Sequence, residues 1–211
     1  MLIFNPFDQV NKADIKKRVE KLRRKKSSLT NEEISRILIK KKSRWCAAAG
    51  ALTALPGAVP VLGTLVAVIA GTVLDITAMG FFITEMILEV AAAHNRDLDK
   101  EGTSREAVWV LVSAVGSGAA SKGLTGLTVR RLSSQAFNRL IEQALLALGI
   151  RASQRTILRI IPVIGMFIAG GVNIYTCNKV GDYVIKYYSE NAYVDKWDGE
   201  TIEAEVIARG E

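Results

Sequence analysis

His94 is the only histidine in the 211-residue chain, and it follows Glu85 and Glu89 on what reads as one helix. Two carboxylates and an imidazole are metal-ligand types. Di-metal sites in helical bundles, however, take a Glu-x-x-His pair from each of two helices. Here Glu89 and His94 lie five positions apart and no second such pair exists, so the expectation is a polar helix end without a metal. A Ser or Cys nucleophile needs a His that is itself oriented by an acid, and one His at a helix end does not supply that arrangement. The stretch Gly116 to Gly126, GSGAASKGLTG, has the glycines of a phosphate loop. Its order Ser121-Lys122-Gly123 is not the Walker order, and no strand pattern precedes it. It reads as a helix-helix connection. Asp75 is the one remaining candidate, because a carboxylate inside an apolar helix is either paired in the core or functional. No Lys or Arg lies within helical reach of it, so its partner must come from another segment, with the hydroxyls of Thr72 or Thr77 able to help locally. The chain therefore reads as non-enzymatic, with no cofactor.

The segment that must position these groups is the long apolar stretch from Trp45 to Asn95. From Cys46 to Leu74 it carries no charge, and Pro56 and Pro60 interrupt it. A straight helix starting after Pro60 meets Asp75 after roughly 21 Å at about 1.5 Å per residue, short of the roughly 30 Å of a bilayer core. A simple span would carry Asp75 toward hydrocarbon, at a cost of about 2.5–3.5 kcal/mol. Two readings follow: a helical hairpin bent at Leu55-Pro56-Gly57 and Val59-Pro60 that dips into the interface, or the buried central helix of a soluble bundle. A second uncharged run, Ile160 to Asn178 apart from its polar Asn173 and Asn178, carries Pro162, and its Gly165, Ala169 and Gly170 permit close helix approach. Pro60-Val-Leu-Gly63 and Pro162-Val-Ile-Gly165 repeat the same kink ahead of Gly/Ala-rich helices, as a pseudo-repeat pairing two hairpins would.

Charge is concentrated at the start of the chain. The net charge is +7; residues 1–44 hold 14 Lys or Arg against 5 acids, and the remainder holds 14 against 16. From Lys12 to Lys26, the spacing of Ile15, Val19 and Leu22 predicts a basic amphipathic helix bearing Lys12, Lys16, Lys17, Arg18, Lys21, Arg23, Arg24, Lys25 and Lys26. Thr30 and Glu33 form a capping box for a second helix, which ends in Lys40, Lys41, Lys42, Arg44 and Trp45. Cations followed by an indole and a long uncharged run match an interfacial anchor, although a charge run also serves as a solvated face. Anionic lipid attracts each such cation by about 1 kcal/mol. A nucleic-acid backbone would attract them too, but no aromatic platform is interleaved, so nucleic acid ranks below lipid.

The other elements are simpler to read. Asn5-Pro6 ends a short apolar lead that straps onto the body. After a polar connector at 96–102, Thr103 and Glu106 would cap a helix whose Val108, Leu111, Val112 and Val115 share a face. Ser133 to Leu148 buries Phe137, Leu140, Ile141, Ala144, Leu145 and Leu148, with Gly149 as its stop. A last helix presents Val180, Tyr183, Val184, Tyr187 and Tyr188. Beyond Glu190 the chain is acidic, and reads as a mobile tail or a partner for the basic arm. Cys46 and Cys177, both in apolar runs, read as buried reduced thiols in a cytosolic compartment. The opening residues lack the basic and apolar regions of a secretory signal.

On the Gly/Pro-rich stretch Gly50 to Gly63, the helix end Met86 to Asp97 (MILEVAAAHNRD), Ile161-Pro-Val-Ile-Gly165 and Gly170-Gly171-Val-Asn173, the chain resembles the EcsC family of bacterial proteins. The likeness covers roughly residues 30 to 190. His94-Asn95 stand where the family usually carries an aromatic-Gly pair. The resemblance implies an all-α, membrane-associated bacterial protein, and brings no established activity and no catalytic residues.

The sequence thus predicts an all-α multi-helix bundle around two Gly/Ala-rich apolar hairpins, 46–95 and 155–190. It divides into a basic amphipathic arm (1–44), a helical EcsC-like domain (45–190) and an acidic tail (191–211). The expected function is docking on anionic membrane lipid at the cytoplasmic face, through the cations above and Trp45. The alternatives are a soluble interaction module with a fully buried core, with a protein partner or second copy of the chain, and a pore-forming effector.

Overall fold

The computed structural model describes residues 5–53, 64–116, 125–153, 162–190 and 197, without the side chains of 53, 64–72, 149–153 and 162–169. Among the described residues the chain is all-α, with no strand. Its helices are α1 (Pro6–Gln9), α2 (Lys12–Lys25), α3 (Asn31–Thr53), α4 (Thr64–Ala93), α5 (Glu101–Val115), α6 (Gly126–Arg130), α7 (Ser134–Ser153) and α8 (Pro162–Glu190).

Local chemistry sets most helix ends. The Asn11 side chain accepts from the Asp14 amide and starts α2. The capping box before α3 forms as expected: the Thr30 amide donates to Glu33 Oε2 at 2.8 Å, and the Glu33 amide donates to Thr30 Oγ1 at 3.2 Å. At the end of α4, Asn95 adopts a left-handed φ of 63°. The amides of Arg96 and Asn95 then reach back to the carbonyls of Ala91 and Ala92, at 2.9 and 3.1 Å, closing a Schellman turn. Pro162, whose missing N–H costs nothing in a first turn, opens α8.

Two expected ends differ. Helix α5 begins at Glu101, not at a Thr103–Glu106 box. Thr103 Oγ1 donates instead to the Asp97 carbonyl and Glu106 pairs with Arg96, so neither side chain is free to cap. Helix α7 continues through Gly149 to Ser153; a glycine in a helix weakens it by about 1 kcal/mol without stopping it. The segment 162–190 of the expected second hairpin is one helix, and residues 155–161, which would form its other part, lie outside the described residues. The bend expected at 55–60 and most of the acidic tail lie outside the described residues.

Helix α4 is the axis of the bundle and packs against α1, α2, α3, α5, α7 and α8. Its Met79, Ile83, Met86, Ile87, Leu88, Val90 and Ala91 are buried. The expected faces of α5 (Val108, Leu111, Val112, Val115) and α7 (Leu140, Ile141, Ala144, Leu145, Leu148) close on it. On α8, Val180, Val184 and Tyr188 are buried, whereas Tyr183 is exposed. Helices α3 and α8 run antiparallel in close contact, because Gly181 faces Ile39 and Gly170 faces the Ala47 carbonyl. Helix α3 passes without a break through the boundary expected at residue 44. Its Ile34, Leu38 and Ile39, together with Ile15 and Val19 of α2, join the common core.

Candidate functional site

The basic residues separate into three groups. The first turns inward. Arg18 of α2 donates to Glu85 Oε1 at 2.7 Å and to Glu89 Oε1 at 2.9 Å. Lys42 of α3 is buried and pairs with the same two carboxylates, with Glu89 Oε1 at 3.4 Å. Burial opposes the charge of Arg18, but the carboxylates of Glu89 and Glu85 outweigh it and raise its pKa. Burial holds the Glu89 carboxyl above its ordinary value, against the pull of Lys42 and Arg18. Glu85 and Glu89 are therefore partners of two cations. No group of His, Cys, Asp and Glu suited to a metal occurs among the described residues.

A second group ties α2 to the far end of α4. Lys16 pairs with Asp97 at 3.4 Å and with Asp99. Arg23 donates to Asn95 Oδ1 at 2.8 Å, to Asn31 and to the Ala93 carbonyl. Lys12 donates to Ser104 Oγ at 2.9 Å. Lys17, Lys21, Arg24, Lys25 and Lys26 face solvent, Arg24 with Glu20 one turn away.

The third group lies on α3. Lys40, Lys41 and Arg44 are exposed, Trp45 is 53% exposed, and Ala48 and then Leu52 (64%) continue the same outer face. This stripe passes from cation through indole to aliphatic within about three turns. Helix α8 repeats it in the opposite chain direction, from exposed Lys179 through Tyr175 to Ile174. The Lys179 ammonium lies 5.7 Å from the Tyr175 ring centre. The antiparallel register, with Ser43 bonded to Asn178 and Asn173 to the Cys46 carbonyl, sets the two gradients side by side. Val73 and Leu74 of α4 are exposed toward the same end. Among the described residues, the exposed aliphatic side chains of Leu52, Ile174, Val73 and Leu74 thus gather toward one end, with an aromatic and then a cationic belt behind them.

Helix α2 is not part of this end. Its nearest ionic contact on α4, Glu85, lies eleven residues, or about 16 Å, along the axis from Leu74. The cations expected to act as one surface are consequently divided between two places. What the sequence reading missed was detectable: Leu38, Lys42 and Cys46 share a helical face, as do Ile15, Arg18 and Leu22, so each inward cation sits on an apolar stripe. The contributions of Lys179, Tyr175 and Leu74 depend on helix register, which the sequence does not specify.

Asp75 lies in the core, and His94 is half-buried at the end of α4. Asp75 is buried and accepts from Asn173 Nδ2 at 2.8 Å, so its partner does come from another segment. His94 stacks on buried Tyr188, and burial, then Arg96 and Arg23, lower its pKa. The 21-residue stretch Val73–Ala93 is long and apolar enough to cross a membrane, but two thirds of its most apolar window is buried in the bundle. Comparison of the chain with protein-family models, curated proteins and solved structures finds no match.

Proposed function

We propose that this protein is a non-enzymatic bundle that docks, end-on and reversibly, on anionic membrane lipid at the cytoplasmic face of a bacterial membrane. The observation that carries the reading is the paired gradient on α3 and α8: Lys40, Lys41 and Arg44 through Trp45 to Leu52, beside Lys179 through Tyr175 to Ile174. Aromatic side chains favour headgroup depth, cations favour the phosphate side, and aliphatic groups favour the acyl boundary. Four cations at about 1 kcal/mol each, with a handful of exposed aliphatic groups, give attachment that salt can reverse. Affiliation with the EcsC family belongs to the same proposal. Co-sedimentation with neutral and with anionic vesicles across a salt series tests it. Recovery on anionic vesicles that falls with salt is expected, and equal recovery on both would remove the electrostatic part.

A second reading, a soluble interaction module whose apolar end meets a protein, is favoured by the burial of α4 and the pairing of Asp75 with Asn173. Monodisperse protein purified without detergent that binds no vesicle would select it. Release of a trapped dye would instead select a pore-forming effector.

A further inference from the structure

The outer face of α2 is a cationic surface that the bundle itself does not use. Ile15 and Val19 are buried and Arg18 and Arg23 turn inward, which leaves Lys17, Lys21, Arg24 and Lys25 on the opposite side. With Glu20 they line an open hollow. Glu20 holds Arg24, but among the described residues no carboxylate pairs with Lys17, Lys21 or Lys25. None of the exposed large apolar side chains lies on α2, so this face offers charge without the aliphatic groups that an acyl boundary takes. The complementary charge stands at the other end of the sequence. Residues 198–211, outside the described residues, hold Asp198, Glu200, Glu203, Glu205 and Glu211 against Arg209 alone. Trp197, immediately before them, is packed on the bundle. Its indole Nε1 donates to the Tyr187 hydroxyl at 3.3 Å. Its ring and Trp109 Nε1 lie 3.2 and 3.7 Å from the place a Cβ on Gly126 would take. We infer that the acidic segment 198–211 docks along the outer face of α2 in the same chain, its carboxylates seated on Lys17, Lys21 and Lys25.

Reach and spacing select this occupant. Along α5, Trp109 stands about 7.5 Å from Ser104, and Ser104 Oγ accepts from Lys12 Nζ at 2.9 Å. Along α2, Lys17 stands about 7.5 Å beyond Lys12. The segment after Trp197 can extend to roughly 46 Å at about 3.3 Å per residue, and the whole of α2 is only about 21 Å long. In an extended chain, side chains two apart recur on one side about every 6.6 Å. Lys17 and Lys21 lie about 6 Å apart along their helix, so Glu203 and Glu205 can meet both at once. Single surface pairs are weak, but a tether of this kind holds the segment at an effective concentration of roughly millimolar. In dilute solution that favours it over the same segment of a second copy. A nucleic-acid single strand would find no aromatic platform on α2. Docking neutralises α2 within the molecule and leaves the cations of α3 as the ones presented outward. It does not depend on lipid.

Zero-length carbodiimide cross-linking of the folded full-length chain in dilute solution, read by mass spectrometry, tests the docking. Amide links from Glu200, Glu203 or Glu205 to Lys17, Lys21 or Lys25 are expected. In an equal mixture of isotopically light and heavy chains, the links should join residues of one isotope. Salt at about 1 M, where the screening length is about 3 Å, should remove them. Retention on a heparin column gives a second readout. Glu200→Gln/Glu203→Gln/Glu205→Gln should elute at higher salt than the parent, because the α2 cations are freed. That shift should vanish when Lys17→Gln/Lys21→Gln/Lys25→Gln is present in both proteins, as coupling between the two sets of charges requires. Four results would overturn the inference: no such links, links chiefly to Lys40, Lys41 or Lys179, links that join light to heavy chains, or an elution shift that persists without the α2 cations.

Discussion

Asn173 Nδ2 donates to Asp75 Oδ1 at 2.8 Å across the contact between α8 and α4, with both side chains sealed from solvent. The same Asn173 amide also donates to the Cys46 carbonyl at 3.1 Å, so one side chain joins α3, α4 and α8. Leaving a buried polar group without its hydrogen-bond partner costs about 1–3 kcal/mol. Asn173→Leu should lower stability by roughly that amount, read as a shift of the urea midpoint with unchanged slope.

Lys42 stands between Glu85 and Glu89, and its removal leaves two carboxylates under a single remaining cation, Arg18. Removing one member of a buried ionic group costs about 3–5 kcal/mol, more than the pair contributes over an apolar replacement. Lys42→Met should therefore destabilise the fold strongly, and Lys42→Met with Glu89→Met should recover a large part of the loss. Denaturant unfolding of the three proteins checks the order.

Acid titration of stability should show two opposed contributions. Backbone and side-chain hydrogen bonds from Thr30 lower the Glu33 pKa beneath 4.5. Its contribution is complete above pH 4.5 and is lost as pH falls through the lowered value. Glu89 is raised above 4.5 by burial. Its contribution is complete below pH 4.5 and is lost as pH rises through the raised value. Glu33→Gln should flatten the first limb and Glu89→Gln the second, in unfolding midpoints measured against pH.

Neighbouring glycines on α8 should respond with opposite signs. A Cβ at Gly170 would stand 3.1 Å from the Ala47 carbonyl oxygen, whereas one at Gly171 meets nothing within 4 Å. Helix propensity favours alanine over glycine by about 0.8–1 kcal/mol. Gly171→Ala should be stabilising by roughly that much. Gly170→Ala must push α3 and α8 apart, and overpacking of about 1–3 kcal/mol should outweigh the gain. Thermal midpoints of the two variants decide this.

Much of the fold is legible in the sequence, because hydrophobic period and capping chemistry act locally. The helix from Lys12, the Thr30–Glu33 box and the inward faces of α5 and α7 all stand where their residue types place them. The fate of the cations is less legible. Lys42 and Lys41 are adjacent in the chain, but one turns to Glu85 and the other to solvent, according to which side of α3 meets α4. That side follows from the register of three helices, and small residues such as Gly170 and Gly181 fix it through their contacts with α3.

The most direct measurement compares vesicle binding of two charge-neutralised variants, Lys40→Gln/Lys41→Gln/Arg44→Gln on α3 and Lys17→Gln/Lys21→Gln/Lys25→Gln on α2. With about 1 kcal/mol per cation near the surface, the α3 variant should lose roughly a hundredfold in partitioning onto anionic vesicles, and the α2 variant should stay close to the parent. Loss confined to the α2 variant, or equal binding by all three proteins, would contradict docking through the apolar end of α3, α4 and α8.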